Sequence, residues 1–332
     1  DPALLSAYTI LLPNRRAVRS LREAFLRLTD GVPLLLPTIR PIGDVEEDGL
    51  WFQSPDMDTL DLPPAMPPLE RQLTLARLLQ QLYGDVYPFE QALAMAASLA
   101  AFIDSVHTEG LSFDALDTLV EAEYAAHWNI TLTFLNAVIR EHWPRILAEK
   151  GYMDAGLRRR LLMERLTESI LKNPPATPYI AAGSTGSIPA TAALIKAVAE
   201  TPQGRVILPG LDCDLDDTSW DAVTEPHPQA TLKNLLQHMG IARRHVQLWP
   251  FDGQRPERFT DSAPKRDALI SAMMRPAETV GAWAQLDLSP RSFDGLTLLE
   301  ADTIDEEAGA IAVFMRQHIE DSYNQTPVIL VT

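Results

Sequence analysis

Two short apolar runs, YTILLP at 8–13 and PYIAAG at 178–183, each lead directly into a helical pattern. That order of signals restricts the fold severely. A brief run of β-forming residues closed by proline or glycine reads as a buried strand. A strand followed at once by an amphipathic helix is the building unit of a parallel sheet. After the first run comes NRRAVRSLREAFLRL, where Val18, Leu21, Phe25 and Leu28 recur at helical spacing and predict one buried face. Arg15, Arg19 and Arg22 fall on another face, and Asn14 stands where an N-cap belongs. VPLLLPTIRP then predicts a second strand near 32–36, closed by proline and followed by a loop holding Thr38 and Arg40.

The second run opens GSTGSIPATAALIKAV, a glycine- and hydroxyl-rich loop running into a helix that extends to about residue 200. QGRVILPGLD predicts the next strand. Between these two α/β stretches the pattern is helical. A proline-crowded connector at 53–68 precedes RQLTLARLLQQLY, EQALAMAASLAAFIDSVH and NITLTFLNAVIREHWPRILAEKG. Pro144 should kink the last of these or start a new turn, and Gly151 should cap it. A basic helix over about 155–172 ends before NPPATP. Downstream, 229–239 reads as helix, 240–250 as a loop with a short strand, and 264–287 as helix broken at Arg275–Pro276. LTLLEA, a helix from about Asp305 to Glu320, and PVILVT predict one more β-α-β unit. The fold class is therefore α/β, a parallel sheet interrupted by helices.

At 332 residues there is room for two domains. No apolar run approaches the roughly 20 residues of a membrane span. Cys213 is the one cysteine, which excludes an intramolecular disulfide and fits a reducing cytoplasm. The net charge of −17 argues against a free-standing nucleic-acid binder. It leaves room for a local basic track: arginines cluster at 15, 16, 19, 22 and 27, and again at 158, 159, 160 and 165. Acidic residues concentrate elsewhere, at Asp44, Glu46, Glu47 and Asp48. The chain does not begin with Met and its last residues read as a strand, so both ends are expected to be cuts from a longer protein.

The loop at 183–190 has the outline of a phosphate loop without its chemistry. A P-loop needs a lysine for the phosphates and a hydroxyl for Mg²⁺ at fixed spacing. Counted from Gly183, the second-glycine, lysine and hydroxyl positions hold Ile188, Pro189 and Ala190. Lys196 lies about two turns into the helix, too far to serve. LDCDLDD brings Asp212, Asp214, Asp216 and Asp217 together, but the glycine and helix-continuation requirements of an EF-hand fail, so an acidic solvated loop is expected. The seven histidines form no metal motif, and Cys213 is expected to be a half-buried structural thiol.

A parallel α/β core with a helical insertion is also how superfamily 1 helicases, with their RecA-like cores, are built. LLPNRRAVRSLREAF, RPIGDVEEDGLWF, AAGSTGSIPATAALIKAVA, VILPGLDCDLDDTSW and HPQATLKNLLQHMG resemble the AddB family, subunits of the bacterial AddAB helicase-nuclease of double-strand break repair and homologous recombination. The resemblance runs over nearly the whole chain. It implies a split helicase-like domain at 1–52 and 175–290, a helical insertion domain at 53–174, and the start of a second helicase-like domain at 291–332. It implies no motor activity here. An iron–sulfur cluster and Mg²⁺ would belong only to a C-terminal nuclease domain outside this chain. The implied partners are an AddA-type motor subunit, single-stranded DNA and double-stranded DNA ends, with a recombination hotspot read as the strand passes.

Residue by residue, LLPNRRA is similar to a helicase motif that grips single-stranded DNA, with Pro13 in place of the usual threonine and Asn14 kept. Independently, Asn14, Arg15 and Arg16 stand at a strand's carboxyl end and a helix amino end, where open sheets bind ligands and free N–H groups meet phosphates. Arg19 extends the track. The alternative is a capped helix with a solvated arginine face. PTIRP is similar to the next strand-contacting motif, which would make Thr38 and Arg40 phosphate ligands; a plain loop is the alternative. Ser184, Thr185 and Ser187 stand where an active helicase has an Asp-Glu pair, and can contact a phosphate or a base; the alternative is a tight turn with Pro189 opening the helix. Two other functions stay open: a nucleotide hydrolase with an unusual loop, against which the absent lysine and carboxylates count, and a purely structural interaction domain.

Overall fold

The computed structural model describes residues 2–29, 33–43, 62–84, 88–118, 131–247, 263–286, 293, 296–320 and 330. The chain divides into two compact units, residues 1–250 and 251–332. In the first, β1 (Thr9–Leu12) leads through α1 (Arg15–Leu28) to β2 (Thr38–Pro41). Helices α2 (Pro68–Tyr83), α3 (Phe89–Thr108), α4 (Trp143–Lys150) and α5 (Ala155–Lys172) follow. The chain then returns to β3 (Tyr179–Ala182), α6 (Pro189–Glu200) and β4 (Gly204–Ile207), and ends in α7 (Asp217–Asp221) and α8 (Ala230–Met239).

The four strands form one sheet in the order β2-β1-β3-β4. Every pairing is parallel: Thr9 is opposite both Thr38 and Tyr179, and Tyr179 is opposite Gly204. The protein is thus α/β with a parallel sheet. Each face is apolar, as a doubly covered sheet requires. Leu12 and Ile39 face α1, meeting Val18, Leu21 and Phe25. Leu11, Tyr179 and Ala181 face the other way, onto Leu162, Met163, Leu166 and Ile170 of α5 and Leu194, Ile195 and Val198 of α6. A β-α-β crossover is right-handed. β1→β2 and β3→β4 step in opposite directions, which puts α1 and α6 on opposite faces.

Two sequence expectations are corrected here. The second strand lies at 38–41, not 32–36. Pro33 and Pro37 lack the N–H groups a ladder needs, and the first bond is made by Thr38 N–H to the Tyr8 carbonyl at 2.9 Å. Pro41 is tolerated because β2 is an edge strand of the described sheet. Leu28 does not join the buried face of α1: it is 84% exposed, in the last turn of the helix.

The helical segment has its own apolar cluster, including Met66, Leu75, Leu79, Ile103 and Trp143. Helix α3 is long and apolar enough to cross a membrane by length and composition. Its Ala92, Ala96, Leu99, Ile103 and Val106 are buried, and all but Val106 belong to this cluster. Pro144 sits in the first turn of α4, and the turn before it, Asn136–His142, widens to π geometry. The missing proline N–H is thereby accommodated without a break. At the base of the cluster lies a charged network that no periodicity announces. Arg71 donates to Asp104 at 2.7 Å and pairs with Asp154 at 2.8 Å, and Trp143 Nε1 donates to both Asp154 oxygens at 3.2 and 3.1 Å. Arg71 and Asp154 are only 5% and 3% exposed. Helices α2, α3, α4 and the start of α5 are locked by it.

The second unit holds α9 (Ala263–Met273), a 3₁₀ stretch at Ala277–Gln285 and α10 (Ile304–Glu320). Trp283 Nε1 donates to the Ala272 carbonyl at 2.7 Å across the Arg275–Pro276 break. Residues 296–301, expected as a strand, form none, and Leu298 is 87% exposed. The strand expected at 327–332 lies outside the described residues apart from Leu330, as do the acidic patch at 44–48 and most of the proline connector. The short strand expected within 240–250 is instead a 3₁₀ turn at Arg243–His245, as far as residue 247.

Candidate nucleic-acid interface

Because all four strands are parallel, their carboxyl ends share one edge. The chain steps outward from β1 to β2 on one side and from β3 to β4 on the other. The crevice between the β1 and β3 ends is therefore the topological switch point, where open α/β sheets take ligands. Two loops fill its lips: Pro13–Asn14, and Gly183 to Ile188.

The first lip is built by capping. Asn14 is extended, at φ −156° and ψ 170°, and its Oδ1 accepts from Ala17 N–H at 2.9 Å. This fixes the amino end of α1 and leaves Arg15 and Arg16 exposed in its first turn. The second lip is built by glycine. Gly183 and Gly186 have φ of +77° and +64°, a region that side chains with a Cβ rarely occupy. Gly183 N–H donates to the Ile207 carbonyl at 2.9 Å, continuing the β3–β4 ladder before the chain turns. Ser184 Oγ accepts from Gly186 N–H at 3.3 Å, and Pro189 then opens α6. Ile188 at the N-cap offers no side-chain acceptor, so among the described residues the first N–H groups of α6 lack a cap. Ser187 is exposed; Ser184 and Thr185 are half-buried.

The lips meet. A Cβ built on Gly183 would lie 3.5 Å from Cδ of Pro13. Gly186 is backed by Leu235 of α8, whose Cδ1 would be only 2.8 Å from a Cβ there. Leu235 is a support the sequence reading missed, as is the place beside Gly183 of Pro13, which that reading noted only in place of a threonine. They lie far from the loop in sequence and carry no chemistry, so nothing local marks them.

Asn14, Arg15, Arg16, Ser184, Thr185 and Ser187 thus come to one edge. Arg19 and Arg22 are further along α1: Arg19 pairs with Glu23 at 2.9 Å, and Arg22 donates to the Ile39 carbonyl at 3.3 Å. Thr38 and Arg40 are strand residues, not the loop expected. Thr38 starts β2 opposite Thr9, about 10 Å below the carboxyl edge at roughly 3.3 Å per residue. Arg40, opposite Leu11, is on the face away from α1. There burial pushes the Tyr179 hydroxyl up to about 12, partly offset by the Arg40 charge.

The acidic loop after β4 is organised by its own backbone. Asp212 Oδ1 accepts from Asp214 and Leu215 N–H at 3.0 and 2.9 Å, and Asp216 caps α7 through Ser219 N–H at 2.9 Å. Among the described residues no three His, Cys, Asp or Glu side chains are grouped to hold a metal. Cys213 is exposed, not half-buried as expected, because the loop carries it outward between two aspartates. No family model matches the chain, and neither does any curated protein.

Proposed function

We propose that this chain is the non-motor, helicase-like part of an AddB-type subunit of a DNA repair helicase-nuclease, with a RecA-like sheet and a helical insertion. In this reading it guides single-stranded DNA from a processed double-strand break and docks an AddA-type motor subunit in the cytoplasm. One observation carries the reading: the switch-point crevice has two lips like those of a nucleotide site, adjacent at Pro13 and Gly183, without the site's catalytic groups. Exposed Arg15 and Arg16, the uncapped end of α6 and the Ser184–Ser187 hydroxyls suit a phosphate backbone laid across the edge. Position-specific photo-crosslinking tests it. A crosslinker at Ser187 or Arg16 should capture oligo(dT), and one at Leu28, at the far end of α1, should not. Equal capture from all three positions would defeat the reading.

Engagement of Arg19 and Arg22 within the fold favours a second reading, a purely structural interaction domain. In that case neither lip captures DNA.

A further inference from the structure

A second concavity lies apart from the crevice, between α7, α8 and the turn at 241–244, with a volume of about 370 Å³. That is within the range of small-ligand pockets, roughly 300–1,000 Å³. One wall is built from Arg243 and Trp220. The Arg243 guanidinium lies 4.7 Å from the centre of the Trp220 ring. It is held there by bonds to the Asp212 carbonyl at 3.1 Å and to the Asp217 carboxylate at 3.0 Å. Leu236, Ile241 and Ala242 supply apolar surface. An arginine held over an indole beside apolar side chains is a surface on which a nucleobase packs.

The charge of the cavity adds to this. Lys233 donates to three carbonyls, those of Trp220, Asp221 and Val223, each at 2.9 Å, and makes no ion pair among the described residues. Arg244 is exposed at the rim and makes no ion pair among the described residues. Against a chain charge of −17, the cavity lining carries three cations to two aspartates, one of which, Asp217, is paired with Arg243. Gln237, also exposed, offers both a donor and an acceptor to a base edge.

We infer that this cavity binds a nucleotide unit, its base packed beside Trp220 and Arg243 and its phosphate met by Arg244 over the Lys233 charge. The unit can be a free mononucleotide or one nucleotide of a single strand. Equilibrium dialysis of the whole chain with dAMP, oligo(dT) and inorganic phosphate distinguishes the sources. Two variants report on the site: Arg244→Glu removes the rim cation, and Ala242→Phe fills the space without changing charge. Thermal melting checks that both fold. For a free nucleotide, dAMP binds saturably and about ten-fold more weakly to each variant, the scale of one lost charge-assisted contact. For a strand unit, only oligo(dT) binds, again more weakly to both variants, while Arg16→Ala leaves the Ala242→Phe effect intact. A failed crevice with these effects present would leave this site standing. The inference is overturned if Ala242→Phe binds both probes like the wild type, or if inorganic phosphate competes as well as dAMP.

Discussion

Pro13 and Gly183 are neighbours at the carboxyl ends of β1 and β3 although 170 positions separate them: a Cβ added to Gly183 would meet Pro13 Cδ at 3.5 Å. Gly183 is there for its backbone, not for want of space. Its φ of +77° is unfavourable for other residues, while a Cβ would find Pro13 at an ordinary 3.5 Å. Gly186 has both problems: φ is +64° and Leu235 would be 2.8 Å away. Gly183→Ala should therefore lose about 1–2 kcal/mol, and Gly186→Ala should lose more, because clash adds to strain. Urea unfolding of both variants checks the order; a neutral Gly186→Ala would show that the loop is not pinned by α8.

The buried network gives the largest expected loss. Asp154→Ala leaves Arg71 with Asp104 and the Ala100 carbonyl and strips the Trp143 indole N–H of its acceptor. Breaking a buried pair in this way costs about 3–5 kcal/mol. Denaturant melts should show it, with Glu70→Ala as the contrast. That variant removes only the half-exposed pair with Lys150, so its loss should stay within about 1 kcal/mol.

Tyr179 sets an alkaline limit. Burial raises its folded-state pKa from 10.0 to about 12. The folded state thus holds the proton more tightly than the unfolded chain. The corresponding stability is fully present below pH 10 and is lost as pH rises toward 12. For a shift of about two units the loss is about 3 kcal/mol. Stability measured across that window should fall, and Tyr179→Phe should flatten the part of the slope due to this hydroxyl. An unchanged slope would remove Tyr179 as its source.

ATP hydrolysis is not expected. Phosphoryl transfer needs a cation on the phosphates and carboxylates for metal and water. Pro189 occupies the lysine position, and β3 ends in Ala181–Ala182–Gly183. DNA-stimulated phosphate release that disappears on mutating residues 183–190 would refute this.

Much of the fold was legible because period and punctuation agreed. β1, α1, α5, β3, α6, α8 and α10 coincide closely with their sequence patterns, each bounded by proline, glycine or a polar cap. The failures have physical causes. Near 32–36 the apolar letters promised a strand, but Pro33 and the following Pro37 each remove a ladder donor, and the sheet begins only at Thr38. At 296–301 the alternation is strand-like, yet no strand forms. The candidate site was legible in part. Asn14 and the glycine loop carry local signatures, whereas Thr38 and Arg40 were placed in a loop because the strand was expected near 32–36 and lies at Thr38–Pro41. Leu235, the Pro13–Gly183 proximity and the Arg71–Asp154 pair are tertiary facts with no local trace.

The most direct measurement of the central claim is the salt dependence of oligonucleotide affinity for the wild type, Arg16→Ala and Ser184→Ala, with melting of each. A crevice that guides a strand predicts weak wild-type binding that added salt abolishes, because few phosphates are neutralised. Arg16→Ala should weaken it by a similar factor on every sequence and reduce the salt slope by about one. Ser184→Ala should change preference among sequences by about 1 kcal/mol. Wild-type affinity and salt slope in both variants, or a complex that persists at high salt, would contradict the account.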